Sequence, residues 1–250
     1  MSTLTAVRDW DLLILCGGGG PAVTADDVQV YWAWRAGDAG GGAAGDGLLL
    51  ALAAEVWAAD PALASVMRRK GVPWVRLDGG AAERWVPASV SSAFVSSAST
   101  SSGREVRVAA CLGPGAGSAD SGPDRPGPAV GIDAEVLEAF LRSGTQPGAF
   151  AEVVLASAER EWFRAAAGEM PARRLALLLR TWVRKEAVLK SLHTGLDVAR
   201  GGLAPQEVAL SAPWEEPVCL SHPEVRLEDS EVQLPLGGGT LLVSAAVREG

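Results

Sequence analysis

Two short segments in the second half of this chain combine carboxylates and a lysine at spacings that could support chemistry. In the first, Ala129–Val136, the alternation of a β-strand places Asp133 and Glu135 on one face, about 7 Å apart. Gly131 lies on the same face and leaves room there for a bulky group. Carboxylates this close repel each other unless a cation or an arginine lies between them. The segment therefore predicts either a cation site or a solvent-exposed strand face.

The second segment is a long amphipathic helix that is predicted to begin at Pro171, to continue over Ala172–Leu192 and to end before Gly195. Glu186 lies about 40° from the centre of its apolar stripe and Lys190 about 80° from it. The stripe is centred on Trp182 and contains Leu175, Leu178, Leu179 and Leu189.

A carboxylate in an apolar stripe costs several kcal/mol unless it is paired or bound to a metal. An i,i+4 pair between Glu186 and Lys190 contributes only about 0.2–0.5 kcal/mol, so we expect Glu186 to face Asp133 and Glu135. Three carboxylates with room for water and phosphate oxygens suit Mg²⁺. Lys185 and Lys190 lie on either side of Glu186 and could hold phosphate as point charges.

The composition narrows the class of protein. The chain has 250 residues, 48% hydrophobic and 21% charged, and a net charge of −8, which argues against a nucleic-acid binder and a polybasic membrane anchor. Its three cysteines are far apart, so neither a zinc ribbon nor a disulfide framework is expected. No segment is long and apolar enough to span a membrane, and the apolar run Leu12–Cys16 follows acidic residues rather than a basic region. We therefore expect a cytoplasmic protein.

Secondary-structure signals divide the chain into two parts that each contain strands and a helix. Glycine and proline are concentrated in Gly113–Pro128, which is predicted to be a linker or loop near the midpoint. His193 is predicted to complement the dipole at the end of the long helix. Strands are predicted at Val28–Trp34, Val106–Cys111, Val130–Val136, Val218–Leu220, Val225–Leu227 and Leu241–Val247, and further helices at Leu48–Ala59 and Ser157–Ala167, the latter with Ser157 as N-cap.

These residues resemble a known family. Gly131–Glu135 resembles the GIDxE motif of the 4′-phosphopantetheinyl transferases, and Trp182–Lys190 resembles their WxxKEAxxK motif. Gly195-Leu196 resembles the GL that follows it, and the separation of the two motifs is similar to that in the larger, surfactin-synthetase-activating (Sfp-type) class. The resemblance is strong from about Val130 to Leu203.

The resemblance implies an α+β fold that is a pseudo-dimer of two similar α/β halves, roughly 1–118 and 119–250, and a monomeric protein. The CoA and Mg²⁺ sites would lie between the halves. The implied reaction moves phosphopantetheine from CoA to a serine of an apo acyl or peptidyl carrier protein and releases adenosine 3′,5′-bisphosphate. Mg²⁺ would be held by Asp133, Glu135 and Glu186, and Lys190 would contact phosphate. Either Glu186 or a metal-bound water would accept the serine proton.

Upstream, the resemblance departs from the family pattern at two places. Lys70-Gly71-Val72-Pro73 resembles the GKP segment, but Val72 replaces its lysine, so that Arg68, Arg69 or Lys70 could supply the charge. The family's Ser-His-Ser element, whose histidine contacts the CoA phosphates, is matched best by Ser91-Ser92-Ala93, with Ser96-Ser97-Ala98 as second choice. Neither contains histidine, and a serine such as Ser92 brings a hydrogen bond but no charge.

Two other functions stay open beside the transferase. The departures favour a degenerate family member that binds CoA or a carrier protein without transferring the arm. An unrelated Mg²⁺-dependent phosphate enzyme would require both motif matches to be accidental. If the partner is a carrier protein, its usual acidity matches the sign of this chain, so recognition is expected to use a local apolar or arginine-bearing patch. Fatty-acid, polyketide and peptide carriers are all compatible with this sequence.

Overall fold

A computed structural model of the protein describes residues 15–16, 30–38, 43–79, 82–95, 104–114, 127–194, 202–235 and 238–248. The described strands of the first half form one antiparallel sheet in the order β1-β2-β6-β5-β4-β3. Helix α1 (Ala43–Val56) packs on one face of this sheet. The strands are β1 (Leu15–Cys16), β2 (Val30–Asp38), β3 (Ala64–Arg69), β4 (Val72–Gly79), β5 (Ala82–Val95) and β6 (Arg104–Leu112).

The second half combines an antiparallel sheet in the order β7-β9-β8 with several helices. Its strands are β7 (Ala129–Val136), β8 (Val225–Leu234) and β9 (Gly239–Arg248). The helices are α2 (Leu137–Arg142), α3 (Pro147–Val154), α4 (Arg160–Ala165) and α5 (Pro171–Ser191). The longest of them, α5, packs on β7 and β9 through its apolar stripe.

The two sheets pack face to face over one apolar core, because alternate residues of their strands are apolar on the facing side. Trp34 and Val108 of the first sheet join Ile132 and Val243 of the second in this core. The opposite faces are covered by helices, α1 on the first sheet and α5 on the second. The result is a mixed α/β fold with layers in the order helix, sheet, sheet, helix.

The halves also meet side by side along β5 and β7. The first part of β5 pairs with β4 and its second part, from Ala88 to Val95, pairs with β6. Strand β7 is at the end of its own sheet, and its outer edge contacts β5. There the buried Ser89 Oγ accepts a hydrogen bond from the Ile132 N–H at 3.0 Å. Residues of both halves therefore line the region around Asp133.

Gly131 lets α5 approach the backbone of β7, and this differs from the sequence prediction of open space for a bulky group. A Cβ at position 131 would collide with the Ala187 carbonyl oxygen and would lie 2.6 Å from the Ser191 nitrogen. The space that the glycine leaves is thus occupied by the helix backbone. This contact sets how closely the side chains of α5 approach Asp133.

Element boundaries follow the sequence predictions closely for β7 and α5 and less closely elsewhere. The helix predicted at Leu48–Ala59 is α1, which begins at Ala43 and ends at Val56. The strand predicted at Val130–Val136 and the helix predicted from Pro171 to Leu192 are confirmed to within about one residue. The helix predicted over Ser157–Ala167 is α4 flanked by two 3₁₀ turns, and Ala156 rather than Ser157 precedes the first of them. The predicted strand at Val218–Leu220 forms isolated bridges only.

Several sequence predictions lie outside the described residues. These are the alternative serine element at Ser96–Ala98, the pair Gly195-Leu196, most of the predicted linker and the division of the chain at residue 118. Within the part of the chain that the structure describes, no helix combines the length and the apolar character needed to cross a bilayer.

Candidate functional site

Asp133 lies at the centre of the candidate site, on the face of β7 that is covered by α5. The side chain of Asp133 is 8% exposed. Oδ1 accepts hydrogen bonds from Lys190 Nζ at 2.7 Å and from the Ser91 hydroxyl at 2.6 Å. Lys190 Nζ also donates to the Ile132 carbonyl oxygen at 3.0 Å. Strand β7, helix α5 and strand β5 of the other half therefore meet at this carboxylate.

Glu135 and Glu186 complete an acidic group around Asp133, as the strand and helix periodicities predict. Burial, with a further contribution from the negative charge of Asp133, raises the pKa of both glutamates to about 7. The positive charge of Lys190 opposes this rise in pKa for both. Near neutral pH, each carboxyl can therefore take up or release a proton.

The residue types fit a hard divalent cation, since carboxylate oxygens are the ligands that Mg²⁺ prefers. Glu186 Oε1 is buried and has no hydrogen-bond partner among the described residues. A bound cation would satisfy such an oxygen and would reduce the repulsion between the carboxylates. In the described part of the chain, however, no three Asp, Glu, His or Cys side chains already converge in a metal-binding arrangement. Here Lys190 Nζ supplies the positive charge beside Asp133.

Lys185, predicted as a phosphate contact, has a different environment. It is fully buried, and its ammonium group donates to the Val154 and Pro205 carbonyl oxygens and to Glu159 Oε2, at 2.6–2.9 Å. An ammonium group has three protons, so all of its donors are used. Burial lowers the pKa of Lys185 while the charge of Glu159 opposes this. Lys185 therefore connects α5 by hydrogen bonds to the segments that contain Val154 and Pro205. It has no donor left for a phosphate at the acidic group.

Ser92, predicted as a CoA contact, lies on the other face of β5. It is exposed, and its hydroxyl hydrogen-bonds Glu105 of β6 and helps to lower the pKa of that carboxyl. Ser91 is the serine that faces the acidic group. The sequence identified the serine-rich segment but not its register, because the choice between adjacent residues depends on which face of β5 turns toward β7.

Lys70 and Arg69 lie at the exposed turn between β3 and β4. Lys70 and Gly71 both have positive φ, at 49° and 86°, as a two-residue hairpin of type I′ requires. Strand β4 is linked to the end of α5 by an edge-on ring contact, 6.4 Å between centroids, of Trp74 with His193. The hairpin thus belongs to a strand that touches the end of the site helix.

His193 closes α5 in a way that differs from the predicted dipole interaction. It has a positive φ of 58°. Its backbone N–H donates to the Lys190 carbonyl oxygen, and the backbone N–H of Thr194 donates to the Leu189 carbonyl oxygen, which is the pattern of a Schellman cap. Burial, with the nearby positive charge of Arg248, lowers the pKa of His193 to about 4. The imidazole is therefore neutral at physiological pH, and the backbone rather than its charge ends the helix.

Two solved structures are similar to part of this chain. The structure is similar to that of holo-[acyl-carrier-protein] synthase from Thermotoga maritima, with 24% identity and a TM-score of 0.33, over 48% of this chain and 62% of that one. Holo-ACP-synthase from Plasmodium yoelii is similar at 16% identity and a TM-score of 0.33, over 50% of this chain and 98% of that one. This chain thus spans less than two thirds of the Thermotoga protein.

Among curated proteins, no sequence matches this chain significantly. Residues 129–227, which contain Asp133, Glu135, Glu186 and Lys190, match the family model of the 4′-phosphopantetheinyl transferase superfamily (ACPS). By this match, the segment that carries the acidic site is similar to the 4′-phosphopantetheinyl transferase superfamily.

Proposed function

We propose that this protein is a 4′-phosphopantetheinyl transferase of the Sfp type. It transfers the 4′-phosphopantetheine arm of CoA to a serine of an apo acyl or peptidyl carrier protein, requires Mg²⁺, and releases adenosine 3′,5′-bisphosphate. The observation that carries the proposal is the acidic group of Asp133, Glu135 and Glu186 beside Lys190, with Asp133 and Glu186 buried and Glu135 half-buried, inside the segment that matches the superfamily.

The proposed Mg²⁺ ligands are Asp133, Glu135 and Glu186. When bound, Mg²⁺ supplies positive charge for the pyrophosphate of CoA. The partnerless Oε1 of Glu186 supports this ligand set, since a buried carboxylate oxygen needs a donor or a cation. Two of the three carboxylates also face α5 from one strand, so that β7 and α5 together define the site.

Two further roles follow from the chemistry of the side chains. Lys190 is 29% exposed at its side chain, so its ammonium group can contact a phosphate oxygen while it remains near Asp133. Glu186 is the proposed acceptor of the proton from the carrier serine. A positioned carboxylate is one of the side chains that act as general bases.

The first half of the chain supplies the other side of the proposed CoA site. Lys70 and Arg69 lie on an exposed turn, and they are the proposed cationic contacts of the CoA phosphates in this half. The proposal includes a pseudo-dimer of the halves 1–118 and 119–250 in a cytoplasmic monomer. The arrangement of one helix-covered sheet from each half supports this organisation.

Three observations favour a second function. The serine segment has no histidine, Ser92 faces away from the acidic group, and Lys185 is fully buried, so several expected phosphate contacts lie elsewhere. A protein with this arrangement could bind CoA or a carrier protein without transferring the arm. The acidic group opposes this alternative, because buried carboxylates cost free energy that a binding module does not need to spend.

Intact-protein mass spectrometry tests the proposal. The protein is mixed with CoA, Mg²⁺ and a panel of apo carrier proteins, and we expect one carrier to gain the mass of one phosphopantetheine arm. Glu186→Gln should reduce the rate at least 100-fold, because it removes a ligand and the proton acceptor. Glu228→Gln, a matched change at an exposed glutamate of β8, should leave the rate unchanged.

The alternatives give different results in the same experiment. A folded protein that modifies no carrier but binds CoA in calorimetry would support the degenerate binding protein. A protein that neither modifies a carrier nor binds CoA would contradict both the transferase and the CoA-binding alternative.

A further inference from the structure

We propose that Ser91 is a positioning residue that holds Asp133 in its metal-binding orientation, so that the first half of the chain controls a ligand in the second half. This inference rests on the proposed function, because it assigns a role at the same Mg²⁺ site. Ser91 belongs to β5 and Asp133 to β7, and the hydroxyl of one is 2.6 Å from the carboxylate of the other.

Two serines of β5 bind two consecutive residues of β7. Ser89 and Ser91 share one face of β5, because side chains alternate along a strand. The Ser89 hydroxyl accepts the Ile132 N–H at 3.0 Å, and the Ser91 hydroxyl donates to Asp133 Oδ1. Ser89 is 4% exposed. The first contact fixes the position of the β7 backbone, and the second fixes the side chain that follows.

The Ser91 hydroxyl is the donor in its hydrogen bond with Asp133. A serine hydroxyl has one proton, and an ionised carboxylate can only accept, so Ser91 must be the donor. Its proton is then used by Asp133 and is not available for a CoA phosphate. Lys190 Nζ donates to the same oxygen, Oδ1. Both donors contact Oδ1, so that Oδ2 is the proposed oxygen for a cation.

Two donors on one oxygen restrict rotation of the carboxylate. One of them, Lys190, has a long side chain and a proposed role with phosphate, so its contact with Asp133 can change during the reaction. Ser91 is short and belongs to a strand paired along its length. It is therefore the donor that keeps Asp133 oriented throughout. Loss of such a supporting contact typically lowers metal affinity about 10- to 100-fold.

Metal binding by the full chain tests this role. Mn²⁺ is titrated into the protein, with the EPR signal of the free ion as readout, and the unfolding temperature is measured in EDTA. Ser91→Ala should weaken Mn²⁺ binding about 10- to 100-fold, and Ser91→Thr, which keeps the hydroxyl, should recover most of the affinity. In transfer assays, Ser91→Ala should raise the Mg²⁺ concentration needed for half-maximal rate by a similar factor.

Ser244→Ala is the matched control. Ser244 is opposite Asp133 in the β7–β9 register, but its buried hydroxyl donates to Asp229 Oδ1 at 2.7 Å. The Ser244→Ala variant therefore loses a serine–aspartate hydrogen bond of the same kind, but one that does not involve Asp133. Its Mn²⁺ affinity should stay within about twofold of that of the wild type.

Three results would overturn the inference. Unchanged Mn²⁺ affinity in Ser91→Ala, or equal losses in Ser91→Ala and Ser244→Ala, would exclude the positioning role while leaving the proposed function intact. The same holds if Ser91→Thr folds normally but binds as weakly as Ser91→Ala. A wild-type protein that binds no Mn²⁺ and modifies no carrier would overturn the proposed function and this inference together.

Discussion

Glu186 shows most clearly how this site departs from an ordinary protein interior. The residue is 8% exposed, and burial together with the charge of Asp133 raises the pKa of its carboxyl group to about 7. The unfolded chain leaves the group near its ordinary value of 4.5. Between these two values the folded protein binds more protons than the unfolded protein, so the stability contributed by this group falls as pH rises.

This difference predicts a pH-dependent effect of Glu186→Gln in EDTA. From about pH 4.5 to pH 7, the free energy of unfolding of the wild type should fall relative to that of the variant, by about 2–3 kcal/mol. His193 acts in the opposite direction, because its pKa is lowered to about 4 and its protonation at low pH favours unfolding. Its contribution is common to both proteins and cancels in the difference. Urea unfolding of both proteins at half-unit pH intervals measures the difference between their free energies of unfolding. A difference that does not change with pH would contradict the prediction.

Residue types and spacing predicted that Asp133, Glu135 and Glu186 lie together, but two residues predicted as contacts of phosphate or CoA, Lys185 and Ser92, face other groups. Strand and helix periodicity fix the faces of Asp133, Glu135 and Glu186 once each element is recognised. Lys185 is one helical step from Glu186, and its burial depends on Glu159 and on carbonyl groups of segments distant in sequence. A helical wheel contains no information about such partners, so the sequence alone could not show that this lysine is buried.

At the scale of elements, the packing of α5 on β7 decides whether the carboxylates meet. The close approach depends on Gly131, because any side chain there would collide with the Ala187 carbonyl group. We expect Gly131→Ala to force the helix away from the strand and to lower the free energy of unfolding by about 1–3 kcal/mol. The rate of phosphopantetheine transfer should fall by more than the loss of folded protein accounts for, since the displaced helix α5 carries Glu186 and Lys190.

Gly47→Ala provides the control for this substitution. Gly47 lies in α1, and a Cβ there has no neighbour within 4 Å. Alanine is the better helix former, so this change should stabilise the protein by up to about 1 kcal/mol. Urea unfolding of both variants measures the two effects. A Gly131→Ala protein as stable as the wild type would show that α5 is not held against β7 by this contact.

Long elements with a clear period were predicted more accurately than those that depend on distant pairing. Helix α5 and strand β7 appear at their predicted positions. The hairpin of β3 and β4 was not predicted, because β3 is half-buried at best and its apolar residues do not alternate clearly. Strand β5 was also missed. It changes partner from β4 to β6 along its length, so no single period describes its sequence.

At the scale of the whole molecule, the two sheets share one core, and the candidate site depends on both. Side chains from both sheets interdigitate in that core, among them Trp34 and Val108 from the first and Ile132 and Val243 from the second. Neither half can expose this face to water without losing a large part of its buried apolar area. The two halves should therefore unfold together, although the sequence indicates a linker between them.

Hydrogen exchange under native conditions tests whether unfolding is shared. Amides at the centres of β6 and β9 should exchange with opening free energies that agree within about 1 kcal/mol, since one cooperative event exposes both. Val108→Ala, a cavity-forming change in the shared core, should lower both values equally, by about 1–3 kcal/mol. Val153→Ala, at a position 52% exposed on α3, should change neither value by more than about 0.5 kcal/mol.

If Val108→Ala weakened protection in β6 but not in β9, the halves would be independent units. The contact between Ser91 and Asp133 would then join two separately folding parts, and the acidic site could open without unfolding of either half.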